Sequence, residues 1–182
     1  MLIQRWSLRD YTSCLLLGPD TERRNNLLEK LVMTNDTLVI SYQRANYLRG
    51  NFKHYRDCKE LEQIFNEFIV NRNTQDHLTC VLDLCLSAPT SLNNFIRAKR
   101  EHNTTLIVAS PELGLFTGNP MFDLVFHLFP TVPSAPDTRH YQDLITTANE
   151  LGGILVTDST GWLKACDPNQ IMDHNILGAY SL

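Results

Sequence analysis

Short apolar runs separated by amphipathic stretches organise this chain. Residues 11–18 (YTSCLLLG) form a run that stops at glycine and proline, the pattern of a buried strand. In residues 21–34 (TERRNNLLEKLVMT), Leu27, Leu28, Leu31 and Val32 recur at helical spacing behind a polar first turn. Residues 37–42 (TLVISY) are a second, β-branched strand run. The polar and aromatic stretch 43–58 has no such period and reads as a loop with at most one turn of helix. Helical spacing returns in residues 60–70 (ELEQIFNEFIV), where Leu61, Ile64, Phe65, Phe68 and Ile69 share a face. A third strand follows at 77–86 (HLTCVLDLCL), with one acid inside it. Residues 90–102 (TSLNNFIRAKREH) open on a capping residue and continue as an amphipathic helix. Strands four and five are predicted at 104–110 (TTLIVAS) and 121–129 (MFDLVFHLF). A proline-rich connection through Pro136, a helix over 138–151 and a final strand at 153–157 (GILVT) complete the pattern.

Buried apolar strands alternating with amphipathic helices specify an α/β architecture: a three-layer, mainly parallel sheet with helices on both faces. A chain of 182 residues suits one domain spanning 1–182. At 43% hydrophobic and 20% charged residues, the composition is that of a globular protein and excludes a disordered one. The formal charge of −4 gives no overall basic footprint for nucleic acid. No apolar run approaches a membrane span, and the opening MLIQRWSLRDY carries charge where a signal peptide would be apolar. The five cysteines are odd in number and form no CxxC pair, so free thiols in a reducing, intracellular compartment are expected. Six scattered histidines offer no metal-ligand spacing, and no metal site is expected.

In an open parallel sheet, ligands bind at the carboxyl ends of the strands. The first such end is 18–25 (GPDTERRN). A phosphate-binding loop reads GxxxxGK[ST], because its glycines let backbone N–H groups wrap phosphate, its lysine reaches the outer phosphates and its hydroxyl holds magnesium. That frame puts Gly18 in place, but Arg23 at the second glycine, Arg24 at the lysine and Asn25 at the hydroxyl. Asp20 and Glu22 add negative charge where phosphate would lie, so an ordinary strand-to-helix turn is the preferred reading. Asp83, near the end of strand three, stands where an NTPase keeps its magnesium-organising acid. The following acid that would orient an attacking water is replaced by Leu84. Ser110 ends strand four with one polar group toward the same crevice. Residues 44–59 interleave Arg44, Arg49, Lys53, His54, Arg56 and Lys59 with Tyr47, Phe52 and Tyr55. Such a segment can grip a nucleic-acid backbone and stack on bases. A solvated loop pinned by its aromatics is the preferred reading of the two.

With these pieces in order, TCVLDLCLSAPTSLNNFIRAKREHNTTLIVAS resembles a segment of the FtsK/HerA-type viral genome-packaging ATPases of large DNA viruses. Arg100, His102 and Asn103 match that family's Arg-His-x-Asn-like stretch, and Ser110 its sensor position, where Gln is usual. Asn119, Asp123, Val125 and Phe126 resemble its later asparagine-aspartate strand, and GGILVTDST its late strand. The resemblance implies a P-loop NTPase-like sheet with strand one central beside strand four and the acid-tipped strand three in the same sheet. It also implies oligomeric rings, DNA translocation and a viral setting in the host cytoplasm or the virion. Without the phosphate loop and the paired acids, the expectation is a degenerate relative with a structural or interaction role in assembly or packaging, through a protein partner or self-association. Gly18, Arg24, Asn25 and Asp83 would mark its eroded nucleotide site, with ATP and magnesium the candidate ligands and none expected to be required. The alternatives are a divergent active ATPase using Arg24 and Asp83, a nucleic-acid-binding module built on 44–59, and an unrelated α/β fold.

Overall fold

The computed structural model describes residues 2–7, 11–31, 36–43, 50–98, 103–118, 120–128, 154–158, 163–166 and 175–180. Its strands in chain order are β1 (Leu2–Ser7), β2 (Ser13–Leu17), β3 (Leu38–Ser41), β4 (Asn51–His54), β5 (Leu78–Asp83), β6 (Thr104–Ser110), β7 (Leu124–Leu128), β8 (Ile154–Asp158), β9 (Leu163–Cys166) and β10 (Asn175–Tyr180). The helices are α1 (Thr21–Leu31), α2 (Cys58–Phe65), which runs on into a wider π turn (Asn66–Val70), and α3 (Leu92–Arg97).

All ten of these strands join one sheet in the order β1-β10-β9-β8-β7-β2-β6-β5-β3-β4. The six from β7 to β4 are mutually parallel. The remaining pairings, β7 with β8 and outward to β1, are antiparallel. Strand β2 is central, with β6 on one side and β7 on the other, and β5 lies next to β6. This is the order that the resemblance requires.

Alternation along the strands separates two apolar layers. Cys14, Leu16, Val39, Val81, Ile107 and Phe126 face α1, whose Leu27, Leu28 and Leu31 close over them. Leu15, Leu17, Ile40, Leu82, Leu106 and Val108 face the other way, under Leu61 and Phe65 of α2 and Phe95 and Ile96 of α3. Central strands β2 and β6 are buried at every position, as expected of parallel strands covered on both faces.

Several boundaries differ from the sequence pattern. The loop expected over 43–58 contains β4 and the start of α2. Strand β4 (NFKH) is an edge strand of exposed and half-buried positions, so no apolar run marks it. Its pairing comes from β3, and Gly50 at its entry approaches so closely that an added Cβ would lie 2.3 Å from the Thr37 carbonyl oxygen. Helix α3 is shorter than the periodicity suggested, because Ala98 has already left helical geometry (φ −83°, ψ 34°). Strand β7 starts only at Leu124, since Asp123 is spent tying the chain to Thr12 and Ser13 at the foot of β2. Strands β1, β9 and β10 were not foreseen, and β8 is therefore not the last strand. The helix expected over 138–151 lies outside the described residues.

Candidate nucleotide site at the crest of the sheet

The parallel strands end together in a crest formed by Gly18 after β2, Ser110 on β6, Asp83 on β5 and Ser41 on β3. Helix α1 begins at Thr21, so only Gly18, Pro19 and Asp20 separate it from β2. A phosphate loop in this frame would still be wrapping its ligand at residues 21–22. Here those residues are helical. One of the free N–H groups at the start of α1 is instead capped from within. The Asp20 carboxylate accepts from the Arg23 N–H at 3.2 Å, as an N-cap residue does.

Arg24, the residue at the lysine position, is folded inward and only 4% exposed. Its Nη1 donates to the Gly18 carbonyl oxygen and its Nη2 to the Thr21 hydroxyl at 3.2 Å. Asn25 is half-buried on the next position of α1 and takes part in none of these bonds. Gly18 has its own packing reason. A Cβ there would stand 2.3 Å from the Leu128 carbonyl oxygen, a contact no side chain survives. The Gly18 N–H donates across the crest to the Ser110 carbonyl at 3.1 Å, while the buried Ser110 hydroxyl turns back to the Glu112 carbonyl at 2.8 Å.

At the tip of β5, alternation puts the Asp83 side chain on the α1 face, since Leu82 packs beneath α2 and α3. Asp83 is 4% exposed and accepts from the Ser41 hydroxyl at 2.9 Å. Ser41 in turn accepts from the Gln43 N–H at 3.0 Å. Beside this pair the fully buried Tyr55 donates to the Asp83 carbonyl at 2.6 Å and accepts from the Cys85 N–H at 3.1 Å. Burial, first of all, pushes the Tyr55 phenol well above its ordinary pKa, so it stays a protonated donor. On β7, next to Leu17 in register, His127 lies 3.1 Å from the Thr157 hydroxyl, and burial lowers its pKa to about 4. It is a neutral ring at pH 7.

The structure therefore brings Gly18, Arg24 and Asp83 to one end of the sheet, as the sequence pattern implied. It adds Ser41 and Tyr55, which the pattern missed. Ser41 ends an apolar run as a plain hydroxyl, and Tyr55 sits in a polar stretch, so neither carries a signal until β3 lies beside β5. The basic residues are dispersed. Lys53 lies 4.4 Å above the Phe68 ring, and Arg56 is bound by Glu60 in an ion pair of 2.8 Å. Lys59 is exposed on α2, and Arg44 and Arg49 fall outside the described residues. Among the described residues no group of three or more His, Cys, Asp or Glu is placed to hold a metal ion. No helix among them is long and apolar enough to cross a membrane.

A central β2 flanked by β7 and β6, a helix leaving its carboxyl end and a buried acid at the tip of β5 define a P-loop NTPase-like α/β fold. Among solved structures the chain is similar to B204, the DNA-packaging ATPase from Sulfolobus Turreted Icosahedral Virus. The TM-score is 0.55 at 12% identity, covering 84% of this chain and 95% of that one. A second similar structure is the genome-packaging NTPase B204 from Sulfolobus turreted icosahedral virus 2 in complex with ATP-gammaS. It aligns with a TM-score of 0.46 at 10% identity, over 85% of this chain and 95% of that one. No family model and no curated protein matches the sequence.

Proposed function

We propose that the chain is a single, catalytically degenerate P-loop ATPase-like domain with a structural or interaction role in virus assembly or genome packaging. The observation that carries this reading is the self-closed β2–α1 turn. Arg24 is committed to the Gly18 carbonyl, and Asp20 holds the helix N-terminus where a phosphate would need free N–H groups. A triphosphate seated there would have to displace a buried guanidinium and approach a carboxylate. Asp83 is likewise engaged by Ser41, and no acid follows it to orient a water. The fold's likeness to a DNA-packaging ATPase supports a packaging-related setting. The preserved sheet with a closed crest supports a role other than turnover.

The direct test is equilibrium binding of a fluorescent ATP analogue with magnesium, alongside phosphate release from ATP by the purified chain. No turnover and no saturable binding below about millimolar concentration are expected. Tight magnesium-dependent binding that disappears on Arg24→Ala or Asp83→Ala would overturn the reading. So would ATP hydrolysis abolished by Asp83→Ala, which would favour a divergent active ATPase.

A further inference from the structure

On the face of the sheet covered by α2 and α3, a polar contact between these helices is independent of the nucleotide reading. Helix α3 has six residues, too few to hold itself by backbone bonds alone. Its own N-cap residue, Ser91, makes no side-chain bond to the helix's first N–H groups. The acceptor comes instead from α2. Glu62 Oε2 accepts from the Thr90 N–H at 2.7 Å, and its Oε1 from the Thr90 hydroxyl at 2.9 Å. The Ser91 hydroxyl lies 3.3 Å from the same Oε1 and 3.0 Å from Asn66 Oδ1. The Asn66 amide also donates to Glu62 Oε1, at 3.3 Å. One carboxylate therefore fastens α2 to the start of α3.

The donors in this cluster are all neutral. Residues 86–96 (LSAPTSLNNFI) contain no titratable side chain, so α3 and the residues leading into it bring Glu62 no charge. Nor do residues 113–118 (LGLFTG), which pack on α3 where Asn93 Nδ2 donates to the Thr117 carbonyl. Along α2 itself the residues one turn away are Cys58, Lys59, Phe65 and Asn66, with Glu67 beyond them in the π turn. Among the described residues Glu62 forms no salt bridge. Partial burial raises its pKa, but the donors from Thr90, Asn66 and Ser91 outweigh burial and hold the carboxyl below its ordinary range. Protonation would turn one acceptor oxygen into a donor facing the Thr90 N–H or hydroxyl, with no cation to replace the lost attraction.

We propose that Glu62 is a proton-released latch, which fixes α3 on α2 when ionised and frees α3 when protonated. Residues 84–91 run from the tip of β5 to α3. Release of α3 therefore loosens the chain beside Tyr55, whose hydroxyl accepts from the Cys85 N–H. Because the folded pKa is lowered, the latch is closed above the ordinary value of 4.5 and opens as pH falls through the lowered one.

The test follows the backbone amides of the isotope-labelled full chain by NMR, from about pH 7 down to about pH 3. The Thr90 and Ser91 amide shifts should titrate with one midpoint, below that of exposed glutamates. Exchange protection of residues 92–97 should fall through the same midpoint while that of β2 and β6 holds. Glu62→Gln keeps the shape of the side chain but offers Thr90 a donor. It should abolish that titration and lower the protection of 92–97 at neutral pH by about tenfold. Glu67→Gln, at an exposed position of the π turn, should match wild type, and thermal melts check that both variants fold. The wild-type titration decides the matter even without the variants. A Thr90 amide that does not titrate, or protection of 92–97 unchanged by Glu62→Gln, would overturn the latch. So would simultaneous loss of protection in α3, β2 and β6, which is global acid unfolding.

Discussion

The two ends of this sheet use polar groups in opposite ways. At the carboxyl crest the principal polar side chains bond within the chain: Arg24 through both Nη atoms to Gly18 and Thr21, Asp20 to Arg23, Asp83 to Ser41, Tyr55 to Asp83 and Cys85. At the amino end, beside β4, Lys53 lies over the Phe68 ring, and among the described residues neither Glu67 nor Asp36 forms an ion pair. A buried polar group without a partner costs far more than an exposed one, so the crest groups hold the fold together. Asp36 and Glu67, both exposed, and the half-buried Lys53 leave stability almost untouched.

Substitutions at the two ends can break this contrast. The largest effect is expected from Gly18→Ala, whose new methyl meets the backbone oxygen of Leu128 and cannot be rotated away. A loss of about 3 kcal/mol or more follows. For a chain of this size that is a fall in Tm of roughly 6–12 °C in a calorimetric scan. Arg24→Met keeps the apolar stem but removes the donor to the buried Gly18 carbonyl, and should cost about 2 kcal/mol in urea denaturation. If Arg24→Met were neutral, the turn would not depend on its internal cation and the contrast would fail at its main point. Tyr55→Phe leaves the Asp83 carbonyl and the Cys85 N–H without their shared hydroxyl, for about 1–2 kcal/mol by the same measurement. Lys53→Met sits at the far end of the scale, within about 0.5 kcal/mol of wild type, because it loses only a cation–ring contact at the edge of the sheet.

Much of the parallel half was legible in sequence. YTSCLLLG, TLVISY and TTLIVAS became β2, β3 and β6 because strands covered on both faces must be apolar along their whole length. The periodic leucines of 21–31 became α1 for the same reason applied to one face of a helix. The edge strand β4 escaped because a strand with an exposed side needs no apolar run. Strand β1 escaped because its antiparallel partner β10 lies far along the chain and no turn signal joins the two. At the crest, Gly18, Arg24 and Asp83 were found by position, but the direction of Arg24 was not readable. An arginine at the lysine position can point outward to an anion or inward to a carbonyl, and only the short turn after Gly18 decides which. Ser41 and Tyr55 are separated from Asp83 by 42 and 28 residues, so their bonds to it exist only once the sheet is assembled.

The pairing of β1 with β10 also dictates a timetable. Residues 2–7 are made well before 175–180, the segment they pair with in the sheet among the described residues. During translation the parallel core can close around β2 and β6 while this leading segment waits unpaired. Closure of β1 onto β10 therefore waits for residues 175–180.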